Sequence, residues 1–246
     1  MKYISLSPAT TEILCALGCE DELVAVTHLC DYPPSIKKKP KIGTWIRTEV
    51  EKLSLYDADL IFTSSYLPRE LEKWEGKEKI VFVDPRTLDG VFGAIMTMAR
   101  TVGKEAKGRS IVEKMKEEFR KIGDGKKSRR RPKVYMEEWH TPPFVSGNWV
   151  PDILEVSGGR EDLVKPGERS REVTLDEIRH FDPDIIVCHW CGAGDIYKPE
   201  EIKNRKGWGD LRAVSEGKIY FIDDALLNTP GPRLVLGAKR LFQIIN

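Results

Sequence analysis

Two stretches of the chain, one in each half, repeat the same order of residue types. In each, a Thr-x-x-Glu sequence predicts a capped helix start, and an aromatic-Asp-x-Asp turn then leads into an apolar strand. The stretches are 48–62 and 174–187. A chain that builds the same helix–turn–strand unit twice is expected to fold into two similar lobes.

Short apolar runs alternate with amphipathic helical patterns along most of the chain. The first predicted strand, 3–7, leads into a helix with Ser7 as cap and Pro8 at its first position, closed by Gly18. Such alternation predicts a mainly parallel sheet covered on both faces. The other predicted strands are 23–26, 60–62, 80–83, 134–137, 185–187 and 219–222, and the predicted last helix is 234–245.

A helical pattern occupies 91–122, where Ile111, Met115 and Phe119 belong to one apolar stripe. The predicted fold class is α/β, with two lobes, each a mainly parallel sheet flanked by helices, joined by a single long backbone helix. The predicted domains are an N-terminal lobe, a bridging helix and a C-terminal lobe. Their bounds are 1–100, 101–123 and 124–246, and 124–132 is a linker.

The charge balance gives no reason to expect a nucleic-acid partner. The chain has 40 Lys and Arg residues and 39 Asp and Glu residues, which gives a net charge of +1. The basic run 126–131 is interpreted as a solvated linker. No apolar run approaches the roughly 20 residues that span a bilayer. Because strand residues begin at position 3, the chain as written is expected to be cytoplasmic, and periplasmic or cell-surface if a leader was removed. The five cysteines are predicted to be thiols.

Aromatic side chains concentrate where predicted strands end. Ligands of open α/β sheets bind beyond the carboxyl ends of the strands. Four of the six tryptophans fall there, where a core does not need them, and this predicts a large, flat, partly apolar ligand. The alternative is that each tryptophan packs its own loop onto its lobe. The four are Trp45, Trp139, Trp149 and Trp190, and Phe144 lies in the same loop as Trp149.

Catalytic and metal-binding motifs are weak or missing in the sequence. Cys188 and Cys191 have Cys-x-x-Cys spacing, but no second Cys/His pair completes a zinc site, so no metal ligand is predicted. A metalloprotein that uses these cysteines directly is the alternative. Glu137 and Glu138 are neighbours in a strand and therefore face opposite sides. No nucleophile elbow or His-Glu-x-x-His occurs, and the chain is predicted not to be an enzyme.

Several segments carry a family resemblance in the same order along the chain. They are 6–12 (Leu-Ser-Pro-Ala-Thr-Thr-Glu), 31–34 (Asp-Tyr-Pro-Pro), Thr44-Trp45 with Glu51, 142–147 (Pro-Pro-Phe-Val-Ser-Gly), 149–152 (Trp-Val-Pro-Asp) and 232–234 (Pro-Arg-Leu). The chain resembles the cobalamin/iron-siderophore-type substrate-binding proteins of ABC importers, most closely the cobalamin binders. The resemblance implies two α/β lobes bridged by one long helix, a ligand in the cleft between them and no cofactor.

The resemblance also implies which residues contact the ligand and the transporter. Trp45 stands at the position of a ligand-contacting tryptophan, Leu29 at that of a tyrosine, and 225–229 lacks the aromatic expected for cobalamin. Glu51 and Asp210 would dock, one per lobe, to a permease that works with an ATPase. The predicted ligand-binding residues are Leu29, Tyr32, Trp45, Trp139, Phe144, Trp149, Trp190, Ala225, Leu226 and Leu227.

The predicted function is that of a monomeric receptor for a metal chelate, a cobalamin or another corrinoid first. The alternative ligand is a ferric siderophore or haem. A third possibility, from a different functional class of protein, is a cytoplasmic corrinoid-handling or sensing protein that works without a permease.

Overall fold

The computed structural model describes residues 1–44, 47–125, 131–194 and 196–246. Two compact units divide the chain: Met1–Pro85 with Asp89–Lys114, and Arg86–Leu88 with Met115–Asn246. They are called unit 1 and unit 2 below. No helix among the described residues has both the length and the apolar character needed to cross a membrane.

Unit 1 contains a four-stranded sheet in the order β2-β1-β3-β4, with every pair parallel. Its strands are β1 (Tyr3–Ser5), β2 (Leu23–Val26), β3 (Leu60–Ser64) and β4 (Ile80–Val83). The helices are α1 (Pro8–Ala16), α2 (Val50–Leu53), α3 (Arg69–Glu72) and α4 (Leu88–Thr101). Ile4, Leu6 and Ile61 lie in a core that forms on one face of the sheet. The predicted cap is confirmed, since Ser7 Oγ accepts from the N–H of Thr10.

Unit 2 contains a five-stranded mixed sheet in the order β7-β6-β5-β8-β9. The strands β5, β8 and β9 are parallel, whereas β6 and β7 add an antiparallel edge. The strands are β5 (Val134–His140), β6 (Pro143–Val145), β7 (Arg171–Glu172), β8 (Ile185–Cys188) and β9 (Ile219–Phe221). The remaining helices are α5 (Glu105–Asp124), α6 (Val150–Ser157), α7 (Leu175–Phe181), α8 (Pro199–Lys203), α9 (Arg212–Ser215) and α10 (Leu234–Ile245).

The predicted α/β class with two sheet-containing lobes is confirmed, and the long helix is α5. The helical pattern predicted without a break over 91–122 is interrupted, which corrects the sequence analysis. Gly103 takes a left-handed backbone with φ +68°, and the N–H of Lys104 returns to the carbonyl of Ala99, which ends α4. The helix α5 then runs across the boundary between Lys114 and Met115. The exact lobe bounds given above stay predictions.

The two aromatic-Asp-x-Asp turns have the same geometry. Their first aspartates, Asp57 and Asp182, end a helical turn with left-handed φ values of 44° and 48°. The second aspartates bind the neighbouring parallel strand at its start. Asp59 Oδ2 accepts from the N–H of Lys2 at 2.7 Å, and Asp184 Oδ2 accepts from Lys133 at 2.9 Å. Each motif therefore sets the register of a strand far away in sequence.

The two predicted capping boxes have opposite outcomes. Thr174 and Glu177 form the reciprocal box at the start of α7, as predicted. The box predicted for Thr48 and Glu51 is wrong, because α2 begins one residue later with Glu49 as its N-cap. The Glu49 carboxylate instead accepts from the N–H of Gly43 at 3.0 Å, and the buried Thr48 Oγ1 has no hydrogen-bond partner among the described residues.

Glu161 should make unit 2 lose stability as the pH rises from about 4 to about 8. Burial raises the pKa of its carboxyl to about 8, although the N–H groups of Leu163 and Met136 donate to it at 3.2 and 3.3 Å. The folded state therefore holds a proton that the unfolded chain, with a pKa of about 4.3, releases. Between about pH 4.3 and about pH 8, the free energy of unfolding should therefore fall by up to about 1.4 kcal/mol per pH unit. Urea unfolding of Glu161→Gln should lose this slope, whereas the exposed Glu172→Gln should retain it.

Candidate functional site

In unit 1, the loop that follows β2 is fixed by a buried polar network. Cys30 Sγ lies 3.1 Å from the hydroxyl oxygens of both Thr11, on α1, and Thr27. Burial raises the pKa of the Cys30 thiol, so it acts here as a neutral partner. The same loop leaves the side chains of Leu29 and Tyr32 exposed by 53% and 43%. Both predicted contact residues are thus presented at the carboxyl end of the sheet on a well-held backbone.

In unit 2, five aromatic rings form a contiguous ledge at the carboxyl ends of β5, β8 and β9. This aromatic ledge consists of Trp139, His140, Trp190, Phe221 and Tyr197. Trp139 lies on His140 with ring centroids 5.1 Å apart and planes 18° apart, and His140 meets Trp190 at 4.8 Å. The Phe221 ring is nearly perpendicular to the rings of Trp190 and Tyr197, with centroids 5.2 and 5.4 Å away.

The structure corrects the position of Trp139 and His140 in the fold. Sequence analysis places both after a strand that ends at 137, but β5 continues to His140 by pairing with β6. A register shift between Glu137 and Trp139 interrupts the regular ladder at this point. Such irregularities re-aim side chains. Trp139 is left 41% exposed, and the half-buried Phe144 pairs with it from β6.

Trp190 belongs to the core of unit 2 and is only 4% exposed, so the prediction that the core does not need it is wrong. Its indole N–H donates to Glu137 Oε1 at 2.8 Å. The buried Glu137 carboxylate also receives two bonds from Arg205, at 2.6 and 2.8 Å. Burial raises the pKa of Glu137, and the guanidinium of Arg205 opposes that rise. Arg205 in turn lies 4.5 Å from the centroid of Trp208.

Trp149 is likewise required by the core, against the prediction. It is 6% exposed, precedes the first residue of α6, and donates its indole N–H to the carbonyl of Leu227 at 2.7 Å. Leu227 is itself fully buried, whereas Ala225 and Leu226 remain half-buried in a 3₁₀ turn. The ligand contacts assigned to these residues stay predictions. Trp45 lies outside the described residues.

The two acids expected to contact a permease are both exposed, Glu51 in unit 1 and Asp210 in unit 2. Glu51 lies in the first turn of α2. It borders a groove of about 550 Å³ whose other walls include Glu70, Lys73 and Trp74. Their role in docking stays a prediction.

All five cysteines are free thiols, as the sequence predicts. Cys188 is buried at the end of β8, whereas Cys191 lies exposed in the following turn. Partial desolvation of its sulfur atom, together with the carboxylates of Glu138 and Asp224, raises the pKa of Cys191 to about 12, so this thiol is protonated at neutral pH. Among the described residues, no group of three His, Cys, Asp or Glu side chains has the arrangement of a metal site.

Comparison with known proteins identifies the family to which the chain belongs. A family model described as periplasmic binding protein matches residues 4–226. The chain belongs to that family. An uncharacterized ABC transporter substrate-binding lipoprotein of Bacillus subtilis, YvrC, is 27% identical over 257 residues, which cover 99% of this chain and 79% of the relative.

Two further periplasmic binding proteins show the range of the family. The vitamin B12-binding protein of Photorhabdus laumondii is 25% identical, over 100% of this chain and 88% of the relative. The crystal structure of a possible iron-binding (periplasmic solute-binding) protein from Staphylococcus epidermidis has a TM-score of 0.82 and 26% identity. It covers 99% of this chain and 98% of that chain. The chain is thus a substrate-binding protein of the ABC importer family and not an enzyme, and proteins of this kind partner with a permease.

Several residues of the unit 2 surface escaped sequence analysis. Tyr197 follows β8 in a polar stretch without periodicity, and Phe221 reads as an ordinary strand residue. Arg205 also carries no local signal. For Asp224 the available clue was its position two residues after the predicted strand 219–222.

Proposed function

We propose that this periplasmic binding protein captures a metal chelate for an ABC importer, and that the chelate is a cobalamin or another corrinoid. The observation that carries the proposal is the exposed indole of Trp139, backed at 5.1 Å by the nearly parallel ring of His140. A flat aromatic face of this kind suits a large planar ring system. The 25% identity to a vitamin B12-binding protein supports the corrinoid as first choice.

Exposed apolar side chains within each unit also support a ligand that is partly apolar. Leu29 and Tyr32 in unit 1, and Ile196 and Tyr197 in unit 2, are exposed at or beyond the carboxyl ends of strands. Exposed apolar side chains at the carboxyl edge of a sheet are typical of binding sites. Ala225 and Leu226, half-buried in the 3₁₀ turn after β9, add small aliphatic groups to the surface of unit 2.

A ferric chelate is the second candidate. Its support is the 26% identity to the possible iron-binding protein of Staphylococcus epidermidis. Ferric siderophores and haem also present large, partly apolar surfaces. The same exposed aromatic ring could serve them, so the ligand has to be distinguished by experiment.

The proposal is tested by uptake from solution. The purified protein is incubated separately with hydroxocobalamin, haemin and a ferric hydroxamate, desalted, and its absorption spectrum recorded. We expect corrinoid bands to elute with the protein at about one equivalent per chain. A protein fraction that carries only an iron chromophore would support the second candidate. A colourless fraction in all three cases would refute metal-chelate binding.

Trp139→Ala should weaken cobalamin binding about tenfold or more and leave the folding stability nearly unchanged. Aromatic pairs contribute about 0.5–1.5 kcal/mol beyond the apolar area they bury, and that area would be lost as well. Phe82→Ala is the matched control, because Phe82 is 42% exposed on β4 against 41% for Trp139. Titration calorimetry should separate the two variants. If the two variants bind cobalamin with equal affinity, Trp139 does not contact the ligand.

Reversing the charges of Glu51 and Asp210 together should abolish stimulation of the importer's ATP hydrolysis in a reconstituted system. Exposed acids contribute little to folding, so the melting temperature and the ligand affinity should not change. The control reverses Glu113 and Glu172, two other exposed acids, one in each unit. Undiminished stimulation by the Glu51 and Asp210 variant would contradict docking through these acids.

A further inference from the structure

The turn after β8 is held by a carboxylate from the segment after β9. Asp224 accepts from the N–H of Gly192 through Oδ2 and from the N–H of Gly194 through Oδ1, both at 2.9 Å. Both glycines have left-handed backbones, with φ values of 77° and 61°. A Cβ at either position would meet no atom within 4 Å. The glycines are therefore needed for backbone conformation, which turns two N–H groups toward one carboxylate.

A second polar side chain, Asn228, joins the same two segments. Its amide nitrogen donates to the carbonyl of His189 at 3.0 Å and to Cys191 Sγ at 3.2 Å. Its amide oxygen lies 2.6 Å from His189 Nδ1. Because the nitrogen is engaged as a donor, the oxygen must accept, and His189 therefore carries its proton on Nδ1.

The neutral state of His189 fits this arrangement. Burial lowers the pKa of the imidazole, although Glu138, Asn228 and Asp224 act in the opposite direction. Its Nε2 atom is buried and has no hydrogen-bond partner among the described residues. An unpartnered acceptor is tolerable there, whereas an unpartnered charged donor is not. The imidazole thus serves as a fixed bridge between the two segments.

The segments joined in this way carry much of the exposed surface near the aromatic ledge. Cys191 is exposed on the turn 191–194, and Tyr197 follows a few residues later, with its ring 5.4 Å from that of Phe221 on β9. Ala225 and Leu226, predicted ligand contacts, lie between Asp224 and Asn228. Five polar contacts from two side chains therefore determine how this part of the surface is displayed.

We propose that Asp224 and Asn228 are positioning residues, which lock the turn 191–194 to the segment 224–228 and preform the unit 2 part of the ligand surface. The inference rests on the proposed function, because it assigns these residues to the same binding event. A surface fixed before the ligand arrives loses less conformational entropy on binding. Without these contacts, the turn retains backbone bonds, such as that from Ala193 to the carbonyl of Trp190, and the 3.9 Å contact of Cys191 Sγ with Glu138.

The test combines amide hydrogen exchange, resolved by NMR, with cobalamin titration of the same variants. In Asp224→Ala, the amides of Gly192 and Gly194 should exchange about tenfold faster or more, since each loses a bond to a charged acceptor. Cobalamin affinity should fall by a similar factor. Asp224→Asn retains one acceptor oxygen and should restore protection of one glycine. Asp223→Ala is the matched control, because the Asp223 carboxylate accepts from the N–H of Ala225, at 2.9 Å, rather than from the glycine turn.

Asn228→Ala should also weaken cobalamin binding, and the imidazole signals of His189 should shift in its spectrum. Unchanged exchange of Gly192 and Gly194 in Asp224→Ala would overturn the positioning role. Faster exchange with full cobalamin affinity would overturn the link to the ligand. If the unaltered protein takes up no chelate, the proposed function fails, and hydrogen exchange alone still decides whether Asp224 and Asn228 hold the turn.

Discussion

Replacing Arg205 with methionine should lower the free energy of unfolding by about 3–5 kcal/mol. The substitution removes the only cation that contacts Glu137 among the described residues, and Glu137 has no exposed surface. Its carboxylate would retain the indole N–H of Trp190 as a donor, at 2.8 Å from Oε1. A buried charge without its counter-ion is costly because the interior cannot replace hydration. Urea denaturation of the two proteins measures the difference.

Two comparisons separate the buried pair from ordinary charge effects. Arg109→Met breaks an exposed ion pair with Glu105 on α5 and should cost less than about 1 kcal/mol. The double variant Glu137→Gln with Arg205→Met should recover part of the loss, because no buried charge remains. If Arg205→Met proves as mild as Arg109→Met, the buried pair contributes little to the stability of unit 2.

Gly237→Ala should destabilise the protein by about 1–3 kcal/mol, even though alanine favours helices. Gly237 lies in α10, and a Cβ there would come 2.3 Å from the carbonyl oxygen of Leu226 and 2.8 Å from Leu227. Backbone atoms cannot rotate out of the way, so the 3₁₀ turn that carries Leu226 would have to move. The same movement should weaken cobalamin binding.

Gly93→Ala provides the matched control for this effect. Gly93 is an exposed residue of α4, and a Cβ at this position would meet nothing within 4 Å. The substitution should therefore stabilise the protein by about 0.5–1 kcal/mol through helix propensity alone. Thermal melts of the two variants should shift in opposite directions. A stabilising Gly237→Ala would contradict the close packing of α10 on the 3₁₀ turn.

The sequence predicts the strands and the last helix well, because their signals are local. The strand Ile80–Val83 and the helix Leu234–Ile245 have the predicted bounds. The antiparallel edge of unit 2 was missed, since β6 and β7 have three and two residues and give no clear periodicity. The Thr48 capping box failed because Glu49 competes for the same helix end, one residue later.

The candidate site was predicted in part. Leu29 and Tyr32, which the family resemblance indicates, and Trp139 are exposed, but Trp149 and Trp190 pack into the core. Sequence position cannot decide between the two outcomes, because both tryptophans are held by acceptors distant in sequence. Trp149 donates to Leu227 and Trp190 donates to Glu137, and these partners come together only in the folded sheet.

Hydrogen exchange with and without cobalamin tests most directly whether the strand exits hold the ligand. Saturation with cobalamin should protect 27–33 in unit 1, and 138–147, 189–194 and 224–228 in unit 2. Peptides from α5 and α7 should exchange at unchanged rates. Protection confined to other segments, or no protection at a concentration that saturates binding, would contradict this account of the site.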